Sequence, residues 1–451
     1  MKKVSRILLI LCLTLGLSAC NINNTNDDDI NDYKIGEEID LVKLGEDYVA
    51  ALLEGNYEEA YDNYPHDEAM KKAMNANLYA ETMVAIKDQI GDVVSLSPSY
   101  KYEFKQYIIV SIPIEGSKSN ININVVFDSN SEIAGFNLSE FKVSDQEEVK
   151  TVENYVEKEM VLSSDGYELN GTLTLPSKGD NFPVIIIVSG SGPMDKDGTV
   201  GPNKVYKDLS QQLASKGVAT FRYDKRTYAY GEEIIDEYNF DINDEYIVDI
   251  VSAYNLVRNI PEIDSDNINI LGHSLGGHLI PMINEVLQAN RYIIMAGNVT
   301  HIEHLITVQY EYLFNLDGEI SDEEQQYINK HYEDLIKLSN LDSLDEKEIV
   351  IGGYKAYWES LASYSPIESG EDIEVPVLVL QGERDYQVNV DEYNQWLEAF
   401  DSKDNWSFKK YQGLNHLMIK GEGVPSPNEY FNVGAVDEQV IKDIVEWIDD
   451  E

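Results

Sequence analysis

Residues Ile268 to Ile283 read "INILGHSLGGHLIPMI". An apolar run of β type stops at Gly272, a lone serine follows, and a helical pattern starts at once. "GHSLG", Gly272 to Gly276, is therefore a G-x-S-x-G turn between an expected strand and an expected helix. The bare motif is a weak signal, because glycine-serine turns are common; the strand and helix around it make it a nucleophile site. Its glycines permit a tight turn with no side chain in the way of a substrate. Ser274 is pushed to the tip of that turn, in a strained conformation that the flanking elements must hold. The N-terminus of the following helix places a partial positive charge and free N–H groups beside any anion that develops there.

The surrounding grammar fixes the architecture. Strands near Val156–Leu162 and Leu169–Leu175 flank "SSDG", a turn sequence. Short β-branched runs then alternate with amphipathic helices: "PVIIIVSG", a helix over Tyr206–Lys216, "VATFRYD", a helix over Glu245–Asn259, and "INILG". The series continues through a helix over Leu275–Gln288, "RYIIMAG", a long helical region, "PVLVLQG", a helix over Asp391–Phe400, "WSFKKY" and a last helix over Asp437–Trp447. Continuous apolar strands separated by helices require a mostly parallel sheet covered on both faces. Eight strands with an antiparallel start match the layout of the α/β-hydrolase fold, spanning residues 156–451. Residues 298–374 exceed what one crossover helix needs, and they are expected to form a helical cap. Such a cap shapes the substrate pockets and excludes water, unless it is only a buttress.

A serine hydroxyl needs a base, and the base an orienting acid. In this fold they follow the serine in the order acid, then histidine. "VPVLVLQGERDYQV" offers Asp385, after a buried strand and the turn at Gly382, with Glu383 as a rival two residues away. "WSFKKYQGLNHLM" offers His416 in the loop beyond the last strand. The other histidines fit worse. His273 is itself part of the turn, His278 lies one helical turn past Ser274, and His331 sits in a polar helix. His301 and His304 make an H-x-x-H pair with no accompanying glutamate base, so no metal is expected. His66, in the polar stretch "YPHDE", reads as a surface residue. For the oxyanion hole, one N–H comes from Leu275, directly after the nucleophile. The second comes from "VSGSGPMDKDG", Val188 to Gly198, with Ser191 as the donor and Gly192 in reserve. A phosphate-binding loop is excluded there, because neither the lysine-serine pair nor the third glycine of the nucleotide motifs is present.

"GSGPMDKDG", "GHSLGG", "GERDYQV" and "GLNHLM" together resemble bacterial carboxylesterases and dipeptidyl-peptidase-like hydrolases of the α/β-hydrolase superfamily. The resemblance runs from about Tyr155 to Glu451. It implies a serine ester hydrolase working through an acyl-enzyme, with no cofactor. One departure stands out: many such hydrolases carry a histidine just ahead of the oxyanion glycine, and here that place is Ser189.

The first third of the chain reads differently. Met1–Arg6 carries three basic residues, Ile7–Leu17 is apolar but short for a membrane span, and "LSAC" ends in Cys20. This resembles the lipobox of bacterial lipoproteins, which implies a signal peptide over 1–19 and acylation of the Cys20 thiol. The mature chain would then be lipid-anchored on the extracytoplasmic face of the cell membrane; an ordinary secretory signal is the alternative. The one other cysteine, Cys12, lies in the segment to be removed, which leaves no disulfide and no thiol nucleophile. Residues 20–37 are polar and without periodicity, as in a flexible tether. In residues 38–142 helical spacing (Glu38–Asn63, Glu68–Ile90) gives way to a period of two (Tyr100–Ile114, Ile121–Phe127, Ile133–Phe141), so a small α+β domain is expected. It resembles the cystatin-like or NTF2-like domains that precede some secreted hydrolases. Residues 143–155 form a charged linker.

Composition narrows the partners. The 451 residues are 43% hydrophobic, as in a globular protein, and carry a net charge of −48. That charge argues against nucleic acid and disfavours strongly anionic substrates. The expected partner is an uncharged short- or medium-chain acyl ester. A serine peptidase or acyltransferase with the same triad, and a surface-binding lipoprotein with a vestigial hydrolase domain, remain alternatives.

Overall fold

The computed structural model describes residues 40–67, 70–71, 74, 76–104, 107–128, 130–140, 154–362 and 364–450. The signal segment, Cys20, the tether and the linker up to Glu153 lie outside the described residues. None of the described helices is long and apolar enough to cross a membrane.

In the first unit, Asp40 caps the helix Leu41–Glu54 through its carboxylate, which accepts from Val42 and Lys43 N–H. Helices Tyr57–Asp62 and Ala76–Ile90 follow. Five strands come next: β1 (Val93–Leu96), β2 (Tyr100–Phe104), β3 (Tyr107–Gly116), β4 (Ile121–Phe127) and β5 (Ile133–Glu140). They form an antiparallel sheet in the order β1-β3-β4-β5, with β2 also paired to β3. Alternate residues of β3 and β4 (Val110, Ile112, Ile123, Val125) meet Tyr48, Leu52, Met83 and Ile86 of the helices in one core. Of the helix expected over Glu68–Ile90, Met70, Lys71 and Ala76–Ile90 are helical, and residues 68–69, 72–73 and 75 lie outside the described residues. Two expectations change here. The single strand expected over Tyr100–Ile114 is two strands paired with each other. His66 is 2% exposed rather than on the surface, and its Nε2 lies 3.1 Å from the Tyr79 hydroxyl.

The larger unit starts with the hairpin of β6 (Tyr155–Ser164) and β7 (Tyr167–Pro176), whose turn residues Asp165 and Gly166 both have positive φ. Then come β8 (Phe182–Val188), a short ribbon of β9 (Thr199–Val200) and β10 (Asn203–Lys204), β11 (Ala219–Tyr223), β12 (Ile263–His273), β13 (Arg291–Met295), β14 (Val377–Gly382) and β15 (Trp406–Tyr411). The eight-stranded sheet has the order β15-β14-β13-β12-β8-β11-β7-β6, and only the pairings of β7 are antiparallel. Successive residues of β8 enter opposite cores. Val184 and Ile186 join Ile250, Leu275 and Trp396 on one face; Ile185 and Ile187 join Leu209, Leu213, Ile441 and Ile444 on the other. The chain leaves β8 toward β11 and then returns to β12 on the other side of β8. That reversal opens a crevice where the loops after β8 and β12 diverge, the usual place for a ligand in such sheets.

The helices depart locally from those expected. The helix after Ser274 is broken into Leu275–His278 and Ile280–Val286, with Pro281, which has no N–H to donate, in the second piece. The helix expected over Glu245–Asn259 starts at Asn243 as a wide turn over Asn243–Ile247 and continues as the α-helix Val248–Val257. Between β13 and β14 stand the helices Ile302–Phe314, Asp322–Leu338, Lys355–Ala362 and Pro366–Gly370. Sequence spacing predicts a helix through "KEIVIGGYKAYW", but Ile351 and Gly352 have positive φ, and helix starts only at Lys355. His331 is buried at 6% exposure, edge-on to Tyr310, rather than on a polar face.

Candidate active site

The turn at Ser274 is built by close packing of main chain. Ser274 has φ 55° and ψ −122°, a conformation that L-residues resist. A Cβ at Gly272 would lie 2.2 Å from Gly276 O, and one at Gly276 would lie 2.6 Å from Val188 O. Neither position tolerates a side chain. The Ser274 N–H donates to Met295 O at 3.0 Å, and its carbonyl accepts from Gly277 and His278 N–H, so the turn is tied to β13 and to its own helix.

Asp385 follows β14 and is buried at 4% exposure. Its Oδ1 accepts from the N–H groups of Gln387 (2.8 Å) and Val388 (2.9 Å), and its Oδ2 accepts from Gln381 Nε2 (3.3 Å). His416 Nδ1 meets Oδ2 at 2.6 Å. An ionised carboxylate only accepts, so Nδ1 carries the proton and Nε2 is left with its lone pair. Gly382 allows this meeting: a Cβ there would stand 2.4 Å from Leu414 O in the loop that carries His416. Glu383, the rival acid, is exposed and lies 3.4 Å from Lys410.

The loop after β8 passes directly beside the serine. A Cβ on Gly190 would lie 3.0 Å from Ser274 Cβ. Ser191 is exposed, and neither its N–H nor that of Leu275 has a hydrogen-bond partner among the described residues. The structure thus brings Ser274, Leu275 and the Gly190–Ser191 peptide together, and brings Asp385 to His416.

Two polar groupings beside these residues have no motif in the sequence. In the first, Gly190 N–H donates to the Tyr206 hydroxyl at 3.2 Å, which lies 3.0 Å from His273 Nδ1, while His273 Nε2 lies 3.0 Å from the His416 carbonyl. A carbonyl can only accept, so His273 is protonated on Nε2, and Tyr206 donates to Nδ1. Burial, reinforced by the neighbouring His416, pushes His273 down to about 3, so it stays neutral. The histidine inside the G-x-S-x-G turn therefore ties the loop after β8 to the loop that carries His416. In the second, Lys225, 2% exposed, has its ammonium among Gly190 O, Gly192 O, Tyr246 Oη and Glu245 Oε1. Burial lowers its proton affinity, and Glu245 opposes that. Only the three-dimensional fold could reveal these partners, since each acts on a main-chain atom remote in sequence.

The helix Ile302–Phe314 meets the loop that carries Asp385. Tyr312 stacks on Tyr386 with ring centroids 5.5 Å apart, and Gln309 Nε2 donates to Gln387 O at 3.0 Å. A cavity of about 190 Å³ lies between Val308 and Tyr312 on one side and Arg384 and Asp385 on the other. His301 and His278 are occupied elsewhere. His301 Nε2 donates to Tyr364 O at 2.8 Å, and His278 Nδ1 lies 3.0 Å from Asn298 O. Among the described residues no three or more His, Cys, Asp or Glu side chains converge as a metal site.

Comparison with known proteins follows the same division of the chain. The model of the prolyl oligopeptidase family matches residues 206–428, and a family described as a protein of unknown function (DUF3887) matches residues 45–136. Esterase EstD of Thermotoga maritima is 29% identical over 408 residues, covering 89% of this chain and 93% of that protein. The uncharacterized peptidase YuxL of Bacillus subtilis is 24% identical over 242 residues, 52% of this chain and 31% of that protein. Among solved structures, Est1E from Butyrivibrio proteoclasticus covers 64% of this chain and 97% of its own, with 15% identity and a TM-score of 0.41. Taken with the sheet order, the chain is a serine hydrolase of the esterase type on an α/β-hydrolase fold. A small α+β domain precedes it.

Proposed function

We propose that the protein hydrolyses uncharged short- or medium-chain acyl esters through an acyl-enzyme on Ser274. His416 Nε2 takes the hydroxyl proton as Oγ bonds to the ester carbon, and the carbonyl π pair moves onto oxygen between the N–H groups of Ser191 and Leu275. Collapse of that adduct breaks the bond to the alcohol oxygen, which leaves with the proton from His416; water then repeats the sequence on the acyl group. Asp385 holds the imidazole in its tautomer. The observation that carries this reading is the 2.6 Å Asp385–His416 pair, because the buried, fully occupied carboxylate leaves Nε2 as the imidazole's one free lone pair. The esterase name of the Thermotoga relative supports ester over amide. The match to the prolyl oligopeptidase family keeps a peptidase as the second reading. A fluorophosphonate probe should label the wild type and not Ser274→Ala. Turnover of nitrophenyl esters of rising chain length should peak at short or medium acyl groups and exceed that of peptide nitroanilides. Labelling that survives in Ser274→Ala would overturn the mechanism, and faster anilide cleavage the substrate class.

The same proposal places the protein on the outer side of the membrane through a lipid on Cys20, on the strength of "LSAC" after a short apolar segment. The wild type should then enter the detergent phase, and Cys20→Ala should not. Equal partitioning would remove the anchor.

A further inference from the structure

The carbonyls of Gly190 and Gly192 turn into the protein. Lys225 Nζ donates to both, at 2.9 and 3.1 Å, and the Tyr246 hydroxyl donates to Gly190 O at 2.8 Å. The ammonium is held in turn by Glu245 Oε1 at 2.9 Å, which also accepts from Thr227 Oγ1. The chain around Lys225 grips the same loop through its backbone and through Asp224: Lys225 N–H donates to Met194 O, and Asp224 Oδ1 accepts from Lys196 N–H. A buried lysine whose protons go to two loop carbonyls needs a reason, because burying an ammonium is costly unless it is fully paired.

The reason lies in one peptide plane. The carbonyl of Gly190 and the N–H of Ser191 belong to the same planar trans unit, in which the two bonds point in opposite directions. Holding Gly190 O inward therefore turns Ser191 N–H outward. It emerges where Gly190 touches Ser274, with a Cβ built on Gly190 only 3.5 Å from Ser274 Oγ, and it has no partner there among the described residues.

We propose that Lys225, assisted by Tyr246, is a positioning residue for the oxyanion hole: by holding the Gly190 carbonyl it aims the Ser191 N–H at the developing oxyanion. The inference rests on the ester-hydrolase reading above. A positive charge on the carbonyl oxygen also draws electron density through the amide, which makes its N–H a stronger donor. Lys225 touches neither the nucleophile nor the substrate. Its effect is confined to states in which an oxyanion exists, so it lowers the barrier without adding ground-state affinity.

The test compares Lys225→Met and Tyr246→Phe with the wild type in the full chain. Each is measured by ester kcat/KM, by the thermal midpoint, and by two inhibitors of one acyl length. An alkyl trifluoromethyl ketone forms a tetrahedral adduct that carries the oxyanion, whereas the matching methyl ketone stays trigonal. Lys225→Met should lose on the order of 10²-fold in kcat/KM, as expected for a misaimed oxyanion donor. Its affinity for the trifluoromethyl ketone should fall in parallel, while that for the methyl ketone stays within about twofold. Tyr246→Phe should lose about tenfold with the same selectivity, and it decides the matter if Lys225→Met does not fold. Full kcat/KM in a folded variant, or equal losses for both ketones, would overturn the proposal. Failure of the underlying reading looks different: the wild type itself would cleave no ester, or Ser274→Ala would cleave it as well.

Discussion

Two polar supports flank the serine, and they are built with opposite signs. On one side the Asp385 carboxylate sits in a shell of donors from Gln381, Gln387 and Val388 and accepts the His416 Nδ1 proton in a hydrogen bond. On the other, the Lys225 ammonium sits among acceptors, two of them carbonyls of the loop after β8. In the proposed mechanism the anion steadies a group that becomes positive during the reaction, and the cation steadies a peptide that faces a developing negative charge. His273 joins the two sides while remaining neutral. The contrast separates a support behind the proposed proton-exchanging base from one that only orients a peptide, and substitutions on the two sides should fail in different ways.

The largest failures belong to the proton-exchanging side. Ser274→Ala and His416→Ala should each lower kcat by on the order of 10⁴-fold or more, and the double variant little further, because such residues act as a unit. Single-turnover rates with a nitrophenyl ester would check this, and additive losses would separate the two residues. Asp385→Asn should cost about 10³- to 10⁴-fold, because an amide donates where the carboxylate accepts and so reverses the imidazole tautomer. A kcat within tenfold of wild type would instead move the acid elsewhere.

The joining relay should give a smaller loss. Tyr206→Phe leaves Gly190 N–H and His273 Nδ1 without their common partner, and each is buried. A loss of about tenfold in kcat/KM is expected, with no change in the acid limb of the pH profile, since no titrating group is removed. A shifted acid limb would show that Tyr206 acts on the base directly.

Stability should carry a pH signature from the same relay. The value for His273 is about 3 in the folded protein against 6.5 for the free side chain, so the folded state binds fewer protons between those limits. Stability is therefore complete above about 6.5 and declines as pH falls toward 3. His278, lowered by burial to about 4, has the same sign, whereas His301, raised first by its hydrogen bond to Glu303, has the opposite one. Thermal midpoints measured from pH 7 down to about 4.5 should fall less steeply for His273→Gln than for the wild type. Parallel curves would refute the buried neutral histidine. The smallest effect is expected at Glu383→Gln, which should keep kcat within about twofold because the side chain is exposed and points to Lys410. A severe loss there would make Glu383 the acid.

The difference between the two sides is also a difference in legibility. Ser274, Asp385 and His416 each follow the end of a strand whose apolar run is visible in the sequence, and the fold dictates their order. Lys225, Tyr206 and Tyr246 lie in stretches such as "RYDKRTYAYG" that look like ordinary polar loop and helix. They act on carbonyl and N–H groups, which every residue has, so no side-chain pattern marks their targets. His66 illustrates the same limit in the first unit. Its neighbours in sequence are polar, and its burial comes from Tyr48 and Tyr79, which are distant along the chain. The eight strands were readable from β-branched runs, but the break after His278 and the turn at Ile351–Gly352 depend on local backbone geometry that hydrophobic spacing does not register.

The conformation of Ser274 sets folding against readiness to react. A residue held at φ 55° and ψ −122° carries strain of order 1–3 kcal/mol, which the rest of the molecule must offset. Glycine would adopt that conformation without strain, so a chain freed from the need to react would relieve that strain by losing the side chain, Cβ included, at this one position. Foldability alone would remove the serine, and on the proposed mechanism its presence at this strained turn is a mark left by chemistry rather than by architecture.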